Sequence, residues 1–351
     1  MFSIILLNMF FFIYFIPIYP QNYAVILAGG NGERLWPLST STKPKQLLSI
    51  DNTENLLEQT IKRIEPLIPK EHIWICATQT LYEPIASSIK DRVGRIVIEP
   101  DRRDTAAAIL YSCSLIALQD PDATVLFIPS DAFIPVDSYQ QYRENIYTFY
   151  MHAQKYNGIT LFGIKPTYPA TGYGYIEYNI HTEDNGFYSV RKFHEKPSKE
   201  TASHYIASNN MLWNIGMFGG KVSTFIEIFK EHASDIFYAI EQYNKTGTGY
   251  ASIRKVSVDY AILEKSTNIR VLPVSFCWFD VGSIPVFLSL QKQYKKQSSV
   301  IEVDSHNNLV SSPNLVALVG VNDLCVVQKD NIILIVHQNA AEKVKQIIEL
   351  L

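Results

Sequence analysis

The stretch "AVILAGGNGERLWPLSTSTKPKQLL", residues 24–48, runs from a buried-strand pattern into a cluster of glycines, with Arg34, Pro37, Lys43 and Lys45 close behind. Its first four residues are apolar, as expected of a strand covered on both faces. Gly29, Gly30 and Gly32 then permit a sharp turn and leave backbone N–H groups unobstructed, a nest that attracts anions. Neither common phosphate loop is met. GxxxxGK[ST] fails because no lysine follows at that spacing, and GxGxxG fails because Leu35 stands where its third glycine should be. Arg34 offers a planar fork for phosphate oxygens and Lys45 a point charge. Taken alone, the stretch reads equally well as a surface turn with solvated basic residues.

Outward from these residues, strand and helix signals alternate. "YAVILAG", "HIWICAT", "RIVIEP", "ATVLFIPSD" and "ITLFGI" are short apolar runs suited to strands of a mostly parallel sheet. One helical pattern starts near Asn52, with Asn52 or Thr53 as its cap and Leu56, Leu57, Thr60, Ile61 and Ile64 at helical spacing. Another starts at Asp104, read as the cap of "TAAAILYSCSLIAL". The alternation predicts right-handed βαβ units in a three-layer, Rossmann-like α/β domain over residues 22–291, with a mixed, mostly parallel sheet. From about Gly172, "GYGYIEYN", "YSVRKFHEKP" and "LWNIGMFGGK" read as strands of an inserted, more antiparallel subdomain. The polar segment at residues 292–300 reads as a linker to a small β-rich C-terminal module, residues 301–351, whose last helix carries Val344, Ile347 and Ile348.

A formal net charge of -3 over 351 residues gives no global attraction to nucleic acid, so any phosphate chemistry has to be local. Cys76, Cys113, Cys277 and Cys325 lie far apart without ligand spacing and read as buried thiols in a reducing, cytoplasmic compartment. The first 20 residues carry no charge and would just reach across a bilayer, yet a basic leader and a small-residue cleavage site are both missing. Three readings of residues 1–21 stay open: a mistaken start, an uncleaved anchor, or an apolar extension. Membrane contact is expected only if the segment is real.

The stretch at residues 27–39 resembles the signature LAGGxGxRLWPLS, followed by PKQ, of the sugar-nucleotide pyrophosphorylases and specifically of the mannose-1-phosphate guanylyltransferases. "IEPDRRDTAAAI", "FIPSDAFI", "PATGYGYIE", "FHEKP", "LWNIGMF", "SVDYAILEK" and "WFDVGS" follow in the order of that family and carry the resemblance to about Leu290. It implies that GTP and mannose 1-phosphate give GDP-mannose and pyrophosphate, by in-line attack of the sugar phosphate on the α-phosphorus. The nucleophile is already an anion, so no general base is needed; the task is to bring two polyanions together with cations, amides and Mg²⁺.

The resemblance implies a role for each matching residue. Arg34, Lys45, Asp131 and Asp280 form the catalytic set, and Asp131 and Asp280 are the two Mg²⁺ ligands. Few protein ligands are required, since Mg²⁺ keeps waters and takes phosphate oxygens. Leu27, Ala28, Gly29, Gly30 and Gly32, with Glu99, Arg103, Asp104 and Thr105, are expected to meet the nucleotide. Gly172, Tyr173, Gly174, Glu177, Glu195, Lys196 and Asn214 are expected to meet the sugar phosphate, with Lys196 on its phosphate and Lys43 in solvent.

Three positions depart from the family pattern. Asp104 stands for asparagine, Ala132 for histidine and Ile215 for serine. Asp104 is read either as an acceptor for guanine N1–H and N2–H₂ or as a helix cap. These departures leave open two alternatives to the active guanylyltransferase: a catalytically silent GDP-mannose-binding sensor or subunit, and a pyrophosphorylase for another base or hexose 1-phosphate. The chain ends without the metal-binding barrel of bifunctional relatives, so the isomerase reaction is not expected. The apolar C-terminal strands are expected to pack on the catalytic domain or on a second subunit, giving a possible homodimer.

Overall fold

The computed structural model describes residues 22–89, 91–294 and 299–351. The apolar N-terminal extension and residues 295–298 of the linker lie outside the described residues. Strands β1 (Asn22–Leu27), β2 (Ile73–Thr78), β3 (Arg95–Glu99) and β4 (Thr124–Pro129) fall on the runs read from sequence. They are followed by β5 (Ala132–Phe133), β6 (Ile159–Ile164), β7 (Tyr175–Tyr178), β8 (Tyr188–His194), β9 (Met211–Lys221), β10 (Ile269–Val274) and β11 (Phe279–Asp280). Among the described residues, nine of them form one sheet in the order β3-β2-β1-β4-β9-β6-β10-β8-β7. Within that sheet only β8 and β9 run against the other strands.

The aromatic-rich strands β7, β8 and β9 are antiparallel to their neighbours, as their texture suggested, but they extend the main sheet rather than form a subdomain of their own. β9 explains this. It is long enough to pair with β4 through its last residues, with β7 through its first and with β6 along most of its length, tying the two regions together. Gly219 makes the close approach possible, since a Cβ there would stand 2.2 Å from the Val125 carbonyl oxygen.

Side-chain alternation along β1 splits the core into two layers. Val25 faces a cluster with Val125, Phe127 and residues of α3 (Asp104–Ala117), such as Ile109 and Cys113. Ala24 and Ile26 face the opposite cluster, with Leu57 and Ile61 from α1 (Leu56–Ile64). That second layer also holds Ile85 from α2 (Tyr82–Ile89) and Ile146 and Phe149 from α4 (Tyr139–Ala153). Helices α6 (Val222–His232) and α7 (Ser234–Thr246) complete the first layer, while α5 (Lys199–Ala207) covers the β7 end. The result is the expected three-layer α/β arrangement.

Two helix starts differ from expectation. α1 is capped by Asn55, in a capping box: Asn55 Oδ1 accepts from Glu58 N–H at 2.9 Å and Asn55 N–H donates to Glu58 Oε2 at 2.9 Å. Asn52 lies in the preceding turn with φ +63°, and Thr53 N–H bonds Asp51. Asp104 opens α3 with φ +67°, and its Oδ1 accepts only from the next N–H, that of Thr105, at 2.7 Å. A left-handed backbone at position 104 suits Asp as it suits Asn, so the departure at this position is tolerated by the fold.

Beyond α8 (Ile284–Tyr294) the chain forms β12 (Val300–Val303), β13 (Leu309–Ser311), β14 (Val316–Val319), β15 (Leu324–Lys329), β16 (Ile332–His337) and α9 (Lys345–Ile348). β12 pairs in parallel with β14, and β13 with β15, as in successive turns of a coil. One side of this module is buried against the catalytic domain: Leu309, Cys325, Val327, Leu334 and Val344 share a core with Leu35, Leu48, Phe133, Val281 and Ile284. Its other side leaves Ile301, Val319, Ile333 and Ile335 exposed. The four cysteines are free thiols; Cys76, Cys113 and Cys325 are buried, whereas Cys277 is exposed, contrary to its reading as a core residue.

Candidate active site

The glycine turn is built on the end of β1. Gly32 has φ +73°, and a Cβ on it would stand 2.6 Å from Lys45 Cβ and 2.8 Å from Ser39 Oγ, so only glycine fits. Gly30 lies under the same lysine, whose Cε would be 3.1 Å from an added Cβ. Buried Gln46 fixes the loop by donating its Nε2 to the Ala28 carbonyl at 2.8 Å, and Ser39 Oγ donates to the Asn31 carbonyl at 2.9 Å. Ala28 is itself buried, with its N–H donated to the Cys76 carbonyl, so its expected nucleotide role is not at a free peptide group. Lys43 is exposed.

Asp131 and Asp280 come from distant parts of the chain and are brought together by a two-stranded ribbon. β5 pairs antiparallel with β11, opposing Ala132 to Asp280, and Val281 N–H donates to the Asp131 carbonyl at 3.4 Å. Asp131 itself is ion-paired with Lys45. Burial pushes the Asp280 carboxyl up from its ordinary value and the nearby Asp131 adds to the shift, while Lys45 and Arg34 oppose it. Two converging carboxylates with a lysine on one of them form a place where positive charge is favourable. Among the described residues, no group of three or more His, Cys, Asp or Glu could hold a metal unaided. Ala132, where the family pattern has histidine, is buried and its backbone serves the ribbon.

A pocket of about 360 Å³ opens beside this pair. Gly30, Gly32, Arg34, Lys45, Arg102 and Lys196 line it, which joins the first signature to the "HEKP" lysine. The C-terminal module also reaches it. Glu342 accepts from Arg34 Nη1 at 3.1 Å, and Lys345 lines the same pocket. Lys196 bonds Glu195 at 2.9 Å, and a Cβ on Gly174 would stand 2.8 Å from Glu195 Oε2 and 3.6 Å from Asn214 Cβ. Asn214 Nδ2 donates to Asp259 Oδ1 at 3.2 Å. Burial, with Glu195 adding to it, pushes Asp259 up to about 6. Gly174, Glu195, Lys196 and Asn214 are therefore assembled together, and Asp259 joins them.

Other expected sugar residues are placed differently. Glu177 bonds His194 Nε2 at 3.1 Å, and His194 Nδ1 meets the Tyr205 hydroxyl at 3.0 Å, a network separate from Glu195. Tyr173 packs edge-on against Trp213 and Trp278 and lies within electrostatic reach of Asp280, while Gly172 faces open space.

A second, smaller pocket of about 150 Å³ lies behind the glycines, lined by Leu27, Gly29, Gly30, Glu99, Arg102, Asp104 and Thr105. Gly30 and Arg102 belong to both pockets, so the two are continuous. Arg103, expected at the nucleotide, is instead tied to Asp101 at 2.5 Å; its neighbour Arg102 faces the pockets. Thr105 Oγ1 accepts from Val258 N–H at 2.9 Å, which pins the start of α3 to the loop before Asp259.

Comparison with known proteins agrees with this architecture. Residues 23–297 match the model of the family described as nucleotidyl transferase. The chain belongs to the nucleotidyl transferase family. Residues 298–351 match a MannoseP isomerase/GMP-like beta-helix domain, in accord with the parallel β12–β14 and β13–β15 pairs. A mannose-1-phosphate guanylyltransferase of Salmonella muenchen is 33% identical over 350 residues, covering 93% of this chain and 72% of that protein. The alginate biosynthesis protein AlgA of Pseudomonas aeruginosa is 31% identical, covering 93% and 71%. A crystal structure described as mannose-1-phosphate geranyltransferase from Thermus thermophilus superposes with a TM-score of 0.84 at 30% identity, covering 94% of this chain and 99% of that one. A UDP-glucose pyrophosphorylase complexed with UDP-glucose shares the fold, with a TM-score of 0.53.

Four residues of this candidate site were not singled out from sequence: Arg102, Asp259, Glu342 and Lys345. Arg102 sits beside the expected Arg103, and Asp259 lies within the quoted "SVDYAILEK", so both had a local signal. Glu342 and Lys345 had none. Among the described residues, no helix is long and apolar enough to cross a membrane.

Proposed function

We propose that this nucleotidyl transferase moves GMP from GTP to mannose 1-phosphate, releasing pyrophosphate and GDP-mannose. The observation that carries the reading is the cation-lined pocket between the glycine turn and Lys196, with Asp131 and Asp280 converging on its edge. The names of the relatives support the choice of substrates.

In this reading the guanine enters the pocket at Glu99 and the triphosphate crosses Gly30 to the larger pocket. Arg34, Lys45 and Arg102 neutralise the leaving pyrophosphate, and Lys196 takes the phosphate of the sugar. Glu195 and Asn214 accept and donate to sugar hydroxyls, with Asp259 holding the Asn214 amide. Asp131 and Asp280 would hold Mg²⁺, for which two carboxylates beside a phosphate pocket are a fitting donor set. Bound there, the ion supplies Lewis-acid stabilisation of phosphoryl oxygens. Lys45, paired with Asp131, also lines the larger pocket and would offer its charge to the phosphates there.

The test is pyrophosphate release with Mg²⁺ and mannose 1-phosphate, offering GTP, ATP, UTP, CTP and dTTP in parallel. Release with GTP well above the other four is expected. Release with a different nucleotide would overturn the base assignment, and release with none would favour a silent binder.

A further inference from the structure

We infer that Tyr250 is a positioning residue for base choice: its hydroxyl holds the Glu99 carboxylate so that the remaining oxygen accepts from the Watson–Crick edge of guanine. The inference deepens the guanylyltransferase reading and rests on it.

Tyr250 lies outside every motif read from the sequence. It follows α7 in a short 3₁₀ turn, Tyr250–Ser252, which the chain enters through Gly247 at φ +69° and Gly249 at φ +93°. Its ring packs edge-on against Tyr111 at 5.8 Å and Tyr243 at 5.1 Å and is 2% exposed. From that fixed position its hydroxyl donates to Glu99 Oε1 at 2.7 Å. The other oxygen, Oε2, lies on the Gly29 side, 3.6 Å from where a glycine Cβ would be, and Glu99 lines the small pocket.

An ionised carboxylate only accepts hydrogen bonds. Guanine presents two donors on its pairing edge, N1–H and N2–H₂, and matches it. Adenine presents an acceptor, N1, beside the N6 donor, and matches a protonated carboxyl instead. The ionisation of Glu99 therefore selects the base. Burial pushes Glu99 up to about 7, and Asp104 and Asp101 add to the shift. The donation from Tyr250 and the charge of Arg102 pull the other way. The buried Cys76 thiol also faces this carboxyl, but burial keeps it neutral. Removing one hydroxyl tips this balance toward the protonated form.

The decisive experiment is titration calorimetry of GTP and ATP on the full chain at pH 6, 7 and 8.5, combined with steady-state kinetics, for wild type and Tyr250→Phe. The substitution keeps the ring and its packing. Expected is a roughly tenfold weaker GTP affinity at pH 7, the scale of a lost hydrogen bond to a charged group. The KM for GTP rises in parallel while kcat at saturation changes less than twofold. The GTP-to-ATP affinity ratio falls, and its midpoint on acidification moves to higher pH than in wild type. Tyr243→Phe, which trims a neighbouring ring in the same cluster, should leave the ratio and its midpoint unchanged. An unshifted midpoint with wild-type GTP affinity in Tyr250→Phe would overturn the inference. So would equal losses in Tyr250→Phe and Tyr243→Phe, which would mark a packing effect. Wild type that is active at pH 8.5 with another nucleotide and not with GTP would sink the guanylyltransferase reading together with the inference. GTP-specific wild type with an indifferent Tyr250→Phe would sink the inference alone.

Discussion

The small pocket at Glu99 and the larger one at Lys45 share Gly30 and Arg102, yet they are built by opposite means. In the small pocket a single buried carboxyl is fixed by a buried tyrosine, with small and apolar residues on one side and the exposed Arg102 and Asp104 at the mouth. In the large one, cations are held by acids: Arg34 by Glu342, Lys45 by Asp131, Lys196 by Glu195. Exposed ion pairs such as Arg34–Glu342 are worth about 0–1 kcal/mol, so an arriving phosphate can displace the acid at little cost. In the proposed reading, base selection would thus rest on a preformed contact, and phosphate handling on exchangeable ones.

The largest expected break in this comparison is at the ribbon. Asp131→Asn and Asp280→Asn should each lower kcat by roughly 10²-fold or more while GTP affinity changes far less, since in the proposed reading the carboxylates serve the reacting phosphates and not the base. Magnesium-dependent turnover near wild type in either variant would remove its ligand role. Stability offers the next largest contrast. The pKa of Glu99 in the folded protein, about 7, exceeds its ordinary value of 4.5, so its protonation stabilises the fold at low pH and that contribution is lost as pH rises through about 7. Glu99→Gln should therefore make the protein more stable than wild type at pH 8, by on the order of 2 to 3 kcal/mol, with the gap closing toward pH 5. Denaturant melts at the two pH values measure this; a gap that does not narrow on acidification would count against the buried-carboxyl account.

Smaller effects are expected at the exchangeable pairs. Lys196→Ala should raise the KM for mannose 1-phosphate about tenfold and leave that for GTP within a factor of two, as for a lost charge-assisted contact. Calorimetry showing the reverse would move Lys196 to the nucleotide side. Glu342→Gln frees Arg34 without touching its surroundings. It should lower the KM for GTP by about two- to threefold at low salt, an advantage that fades as salt screens the pair.

What the sequence disclosed and what it withheld follow from the range of the interactions. The strand running into the Gly29–Gly30 turn, the parallel runs and the body of α3 are local in period and composition, and the structure has β1 at Asn22–Leu27 and α3 at Asp104–Ala117. Asn55 was passed over for Asn52 because a capping box depends on Glu58 reaching back to it, one turn further than the apolar period suggested. Arg102 and Arg103 are indistinguishable until the loop before α3 turns one outward and ties the other to Asp101. The convergence of Asp131 with Asp280 was readable only through motif resemblance, since β5 and β11 are two residues each and carry no periodic signal. Glu342 and Tyr250 reach the site from the far end of the chain and from a turn after α7, contacts that no local pattern encodes.

The β5–β11 ribbon also bears on how the protein matures. Nearly all of the sheet between Asp131 and Asp280 has to be laid down before these two short strands can meet, so their pairing closes one of the longest loops in the catalytic domain. On a ribosome the glycine turn, Lys45 and the Glu99 pocket wall emerge first, and the second carboxylate arrives only after β10. Regain of turnover during refolding should therefore trail the burial of the β1–β4 core, making catalysis a reporter of the final docking step.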